Sequence, residues 1–73
     1  MEEELLKIIT KDIMEDYETI RQSGVTNMFD FFQVTRIAKK WKMKELAKLT
    51  RDQYGELLGN FGKLMKYYNV KQK

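Results

Sequence analysis

The sequence predicts an all-α fold, a small three-helix domain with a long C-terminal helix, on three observations. Apolar residues recur at helical spacing through most of the chain. No stretch alternates apolar and polar residues as a half-buried strand would. Helix start and stop signals fall between the apolar stripes. The 73 residues allow at most one domain, 1–73. A chain of this length buries only about 60% of its unfolded surface, and its core supplies roughly 3–5 kcal/mol.

With successive residues placed about 100° apart, Leu5, Leu6, Ile9, Ile13, Tyr17 and Ile20 share one arc of about 120°. This predicts a first helix over about residues 3–23. Glu2, Glu3 and Glu4 suit the positive end of its dipole, and Gly24 is its expected stop. Residues 24–29 make the connection. Asp30 and Gln33 then have capping-box spacing for a second helix, about 31–41, which aligns Phe31, Val34, Ile37, Ala38 and Trp41 on one face. Phe32 falls on the opposite, basic face, as do Arg36, Lys39 and Lys40.

After a turn near Lys42, eleven residues from Met43 to Tyr68 occupy one arc of about 120°: Met43, Leu46, Ala47, Thr50, Tyr54, Leu57, Leu58, Phe61, Leu64, Met65 and Tyr68. Because the phase never slips, the reading is one long helix, about 43–68. Gly55, Gly59 and Gly62 lie on the other side, between Lys48, Lys63 and Lys66. An exposed helical glycine costs about 0.8–1 kcal/mol relative to alanine. Either the helix breaks there, or a partner backbone gains from the missing side chains.

Charge divides along the chain. Residues 1–35 carry eight acids and three bases, 3 − 8 = −5, whereas residues 36–73 carry eleven bases and three acids, 11 − 3 = +8. Arg36, Lys39, Lys40, Lys42, Lys44, Lys48 and Arg51 surround the second turn and could contact phosphates, with Phe32 or Tyr67 stacking on a base. Lys63, Lys66, Lys71 and Lys73 also complement the negative end of a C-terminal helix. Asp16, at the edge of the first apolar arc, could reach a lysine of the basic half.

Histidine and cysteine are absent, which removes the commonest general base, the thiolate nucleophile, zinc ligation and disulfides. No spacing assembles a nucleophile with a base, a phosphate loop or a cation cage. The expectation is a protein that is not an enzyme, with no cofactor, metal or catalytic residue. An acidic N-terminus and the lack of a long apolar run predict no membrane association and a cytoplasmic location.

From Ile20 the chain reads Ile-Arg-Gln-Ser-Gly-Val-Thr-Asn-Met-Phe-Asp, followed by Val34, Arg36, Ile37 and Ala38 and then Glu45 and Leu46. This resembles a domain of unknown function carried by small phage and prophage proteins, with an Arg-x-Ser-Gly-x-Thr-Asn-Met-Phe-Asp core and a following Val-x-Arg-Ile-Ala. The resemblance spans residues 12–54. Lys42, where that family tends to have glycine, and the glycine-bearing tail depart from it. The residues also read structurally: Gly24 for a left-handed turn, Thr26 and Asn27 bonding the local backbone, Met28 and Phe29 plugging the core, and Asp30 capping the next helix.

The resemblance brings no catalytic residues. It implies an accessory protein that binds and modulates a host or phage protein, in the manner of an anti-defence (anti-CRISPR-like) inhibitor, in the cytoplasm of the bacterial host. Candidate partner-binding residues are Phe32, Arg36, Lys39, Lys40, Lys44 and Lys48, with the strip of Gly55, Gly59, Gly62, Lys63 and Lys66. The competing reading is a small helix-turn-helix DNA-binding regulator using Arg36, Lys39, Lys40, Lys44, Lys48 and Arg51. A third is a homo-oligomer, since the charge split favours contact between the acidic half of one copy and the basic half of another.

Overall fold

A computed structural model describes residues 3–70, and among these every regular element is helical: α1 (Glu3–Ile8), α2 (Lys11–Ser23), α3 (Phe31–Lys40), α4 (Lys44–Ala47), α5 (Arg51–Gly59) and α6 (Phe61–Tyr68). The all-α expectation holds. The three-helix layout and the long C-terminal helix do not, because two of the expected helices are interrupted. Glu2, Lys71 and Lys73 lie outside the described residues.

Each interruption has a local cause. Thr10 takes an extended conformation, and its side chain accepts from the Ile13 amide at 3.3 Å, so α2 starts anew. Thr50 likewise turns extended and closes a full capping box with Gln53. Its hydroxyl accepts from the Gln53 amide at 3.2 Å, and Gln53 Oε1 accepts from the Thr50 amide at 2.9 Å. Asn60 ends α5 and precedes α6, with φ −119° and ψ 16°.

The unbroken phase from Met43 to Tyr68 therefore does not report a continuous helix. Segments packed on one core must all present apolar residues to it, so the stripe survives the breaks. One predicted member of the arc, Thr50, is exposed as a cap, whereas Leu49, outside the arc, is buried.

The long element α2 is central and packs against α3, α4 and α6. Its Ile13, Met14, Tyr17 and Ile20 meet Val34 and Ala38 of α3, Leu46 of α4, Tyr54 and Leu57 of α5, and Leu64 and Met65 of α6 in one core. Leu5 and Ile9 extend it. Trp41, expected on the buried face of the second helix, is instead half out of the surface at the end of α3.

Polar groups at the breaks are used to tie distant elements. The Tyr68 hydroxyl, on α6, donates to the Ile9 carbonyl at 2.7 Å, at the α1–α2 interruption. Among the described residues no buried side-chain nitrogen or oxygen lacks a partner.

Candidate functional site

The loop of residues 24–30 builds an outward-facing corner. Gly24 stops α2 in the left-handed region, at φ 67°. Asn27 Oδ1 accepts from the Phe29 amide at 2.9 Å, and the Asn27 carbonyl accepts from the Asp30 amide at 3.0 Å. Asp30 then caps α3 by accepting from the Gln33 amide at 3.2 Å.

Inside this loop Met28 turns inward while Phe29 turns out. Met28 is buried, and its carbonyl accepts the Tyr54 hydroxyl. Phe29 is 80% exposed, so the expectation that both residues plug the core holds for Met28 and fails for Phe29. Tight local bonding gives adjacent residues opposite directions, and a tandem Met-Phe does not reveal which will enter the core.

Phe32, three residues on and in the first turn of α3, is 68% exposed. It meets Phe31 edge-to-face with centroids 5.5 Å apart, and Phe31 stands 5.5 Å from Tyr54. The Arg51 guanidinium, at the start of α5, lies 6.0 Å from the Phe32 ring centre. The exposed Phe32 ring thus stands against Phe31, with Arg51 beside it, and the exposed Phe29 lies three residues earlier in the capped loop. Phe29 was missed as a surface residue, and the Arg51–Phe32 contact links a basic residue to an aromatic that sequence left unconnected.

Arg36 follows Phe32 by one turn along α3, and Lys39 and Lys40 by two; all are exposed. Lys44 and Lys48 are on or just after α4, which packs against α3. Lys48 pairs with Glu45 at 3.8 Å between two exposed side chains, a contact worth little in salt. The remaining basic residues of the cluster form no ion pair among the described residues.

The glycine strip is divided by the break at Asn60. Gly59 ends α5, Gly62 lies in the first turn of α6, and only Gly55 is in a helix interior. All three are exposed, and a Cβ at any of them would meet open space. Lys63 and Lys66 are exposed on α6. No hydrogen bond, ion pair or ring contact among the described residues joins this strip to the Phe32 corner.

A second concave feature lies on α2, a cleft of about 540 Å³ lined by Lys11, Glu15, Glu18, Thr19, Gln22 and Val70, among others. Glu18, one of its lining residues, is only 4% exposed. Arg21 Nε and Nη2 donate to its two oxygens at 2.9 and 2.5 Å, and Gln22 Nε2 donates at 2.8 Å. The Arg21 bonds hold the Glu18 carboxyl below its ordinary value against the cost of burial. Asp16 is shifted the other way, by burial first and then by Asp12 and Glu15. It forms no ion pair among the described residues, so it is paired with none of the described lysines.

Nothing among the described residues gathers three or more acidic side chains that could hold a metal ion, and no described helix is long and apolar enough to cross a membrane. Ser23, the sole serine, spends its hydroxyl on the Ile20 carbonyl at 2.6 Å.

No curated protein and no solved structure matches the chain. A family model does match, over residues 9–58 of the 73, from the α1–α2 break to the last turn of α5. With about two thirds of its length so matched, the chain belongs to the family described as Domain of unknown function (DUF5049).

Proposed function

We propose that the chain is a non-catalytic accessory protein that binds and modulates a host or phage protein through the corner formed by Phe29, Phe32, Arg36 and Arg51. The carrying observation is the pair of phenylalanines, 80% and 68% exposed and three residues apart in a capped loop and helix start, with Arg51 over the Phe32 ring and Arg36 one turn on, neither arginine in an ion pair among the described residues. A large apolar ring in water gains free energy when covered, and aromatic and arginine side chains dominate protein interfaces. The surrounding lysines favour an acidic partner surface. The phage or prophage setting, the bacterial cytoplasm and the anti-defence role rest on the sequence resemblance through residues 21–38.

The helix-turn-helix reading draws less support from the geometry. The helix after the turn, α4, has four residues, about 6 Å at 1.5 Å per residue, where a recognition helix must lie along the major groove. Affinity capture from a host lysate, run with the wild-type chain and with Phe29→Ser/Phe32→Ser, tests the proposal. One protein retained by the first and lost with the second is the expected result. Duplex-DNA binding that weakens steeply with salt and survives the double substitution would reject it in favour of the regulator.

A further inference from the structure

The outer stripe of α3 carries one ring and then only cations. At about 100° per residue, Phe32, Arg36 and Lys39 fall within an arc of about 60°, with Lys40 about 40° beyond it, and all four are exposed. The Arg51 guanidinium, brought in from the start of α5, lies 6.0 Å from the Phe32 ring centre and adds a fourth cation at the head of the stripe. From Phe32 to Lys39 the stripe runs about 10 Å along the helix. None of the four cations forms an ion pair among the described residues. From Phe31 to Arg51 the sequence holds seven bases and one acid, Glu45, which is itself the partner of Lys48 at 3.8 Å.

The side chains of this stripe are donors and a flat apolar ring, with no acceptor among them. An acidic protein surface answers the charge, yet lysine is depleted at protein–protein interfaces. A single nucleic-acid strand answers both parts at once, because its phosphate oxygens only accept and its bases offer flat faces to a ring set among cations. The bases must be unpaired for Phe32 to reach those faces, since stacking in a duplex covers them. From this match we infer that the α3 stripe binds single-stranded nucleic acid, a base stacking on Phe32 while Arg36, Lys39, Lys40 and Arg51 hold phosphates. Recognition by backbone charge and stacking tolerates any sequence, and both features are common to DNA and RNA. The inference goes beyond the protein partner proposed above while sharing Phe32, Arg36 and Arg51 with it.

Fluorescence anisotropy of labelled deoxythymidine and uridine oligonucleotides of about 15 residues, titrated with the full chain, tests it. Four phosphate contacts on a single strand predict an affinity that falls about 50-fold between about 50 and about 200 mM salt. Phe32→Ala should weaken binding by about 5- to 150-fold with the salt slope unchanged, and Phe32→Tyr should restore it. Arg36→Gln/Lys39→Gln should instead halve the slope, leaving a fall of about 7-fold over the same range. All these positions are exposed, and an unchanged helical circular dichroism spectrum verifies that each variant is folded. Binding of neither oligonucleotide at about 50 mM salt, an affinity indifferent to Phe32→Ala, or a duplex held as tightly as the single strand would each overturn the inference. So would poly-glutamate competing as well as the oligonucleotide, which would mark the stripe as a face for acidic proteins. Host-protein capture repeated in nuclease-treated lysate reads the earlier proposal by itself, so either can fail without the other.

Discussion

The Tyr54 hydroxyl donates to the main-chain carbonyl of Met28 at 2.5 Å, across 26 residues and inside the core. This bond fastens the loop that presents Phe29 to the start of α5, and it satisfies a carbonyl that has no water to turn to. Tyr54→Phe keeps the ring against Phe31 and Tyr17 but orphans that carbonyl. The expected loss is about 1–3 kcal/mol, a large share of the stability of so small a domain. Urea titration of the two proteins measures it, and equal midpoints would show that the loop is held by packing alone.

The same burial predicts alkaline sensitivity. Desolvation pushes the Tyr54 hydroxyl far above its ordinary value of 10.0, with Tyr17 and Asp30 adding to the rise, and it also raises Tyr17 and Tyr68. The folded state thus keeps these protons after the unfolded chain has begun to lose them. Their contribution is complete below about pH 10 and declines as pH rises further. Thermal melts should be flat from neutrality to about pH 9 and fall steeply above about pH 10, less steeply in Tyr54→Phe.

Legibility in the sequence follows the kind of force involved. Core residues such as Ile13, Tyr17, Val34, Leu57 and Leu64 were readable because burial imposes periodicity over many positions. The breaks at Thr10, Thr50 and Asn60 were not, because a cap competes with helix propagation through one or two hydrogen bonds that leave the stripe intact. The Thr50-to-Gln53 spacing was a usable signal, masked by the apolar stripe around it. Of the site, Phe32 and the basic residues of α3 stood out by falling on the polar face. Phe29 did not, since its direction is decided by the Asn27 and Asp30 bonds and by Met28 taking the inward position.

Glu18 and Asp16 should respond to acid with opposite sign. The Glu18 carboxyl is lowered chiefly by its bonds from Arg21, so its stabilisation is full above the unfolded value near 4.5 and disappears as pH falls through the lower folded value. Asp16 is raised by burial and by Asp12 and Glu15, so its charged form strains the fold at neutral pH and ceases to do so below the unfolded value near 3.8. Glu18→Gln should therefore destabilise at pH 7, by about 1.5–3 kcal/mol, and approach wild type in acid. Asp16→Asn should stabilise at pH 7 and lose that advantage below about pH 4. Denaturant midpoints across pH 3–8 compare the two, and parallel profiles would contradict both assignments.

Lys42 occupies a position built for glycine. It sits at φ 61° after α3, where the Met43 amide donates to the Ala38 carbonyl at 2.8 Å and the Lys42 amide to the Lys39 carbonyl at 3.2 Å, a Schellman ending. The left-handed conformation costs an L-residue roughly 1–2 kcal/mol. Lys42→Gly should accordingly raise stability by about 1 kcal/mol, the gain reduced by the extra freedom of glycine in the unfolded chain. A raised melting temperature with weaker partner capture would show that this charge is kept for contact, and unchanged capture that it is not.

Gly55 poses the sharper question among the glycines. Gly59 and Gly62 flank the break at Asn60, where helix propensity counts for less, but Gly55 is the fifth of nine residues in α5 and has open space where a Cβ would be. Gly55→Ala should stabilise by about 0.8–1 kcal/mol in the isolated chain, because nothing within it resists the methyl group. If a partner backbone approaches this face, the same substitution will weaken capture even as the melting temperature rises, and Gly55→Leu will abolish it. If Gly55→Leu captures the partner as well as wild type, the glycine face takes no part in binding, and contact rests on the Phe29–Phe32 corner.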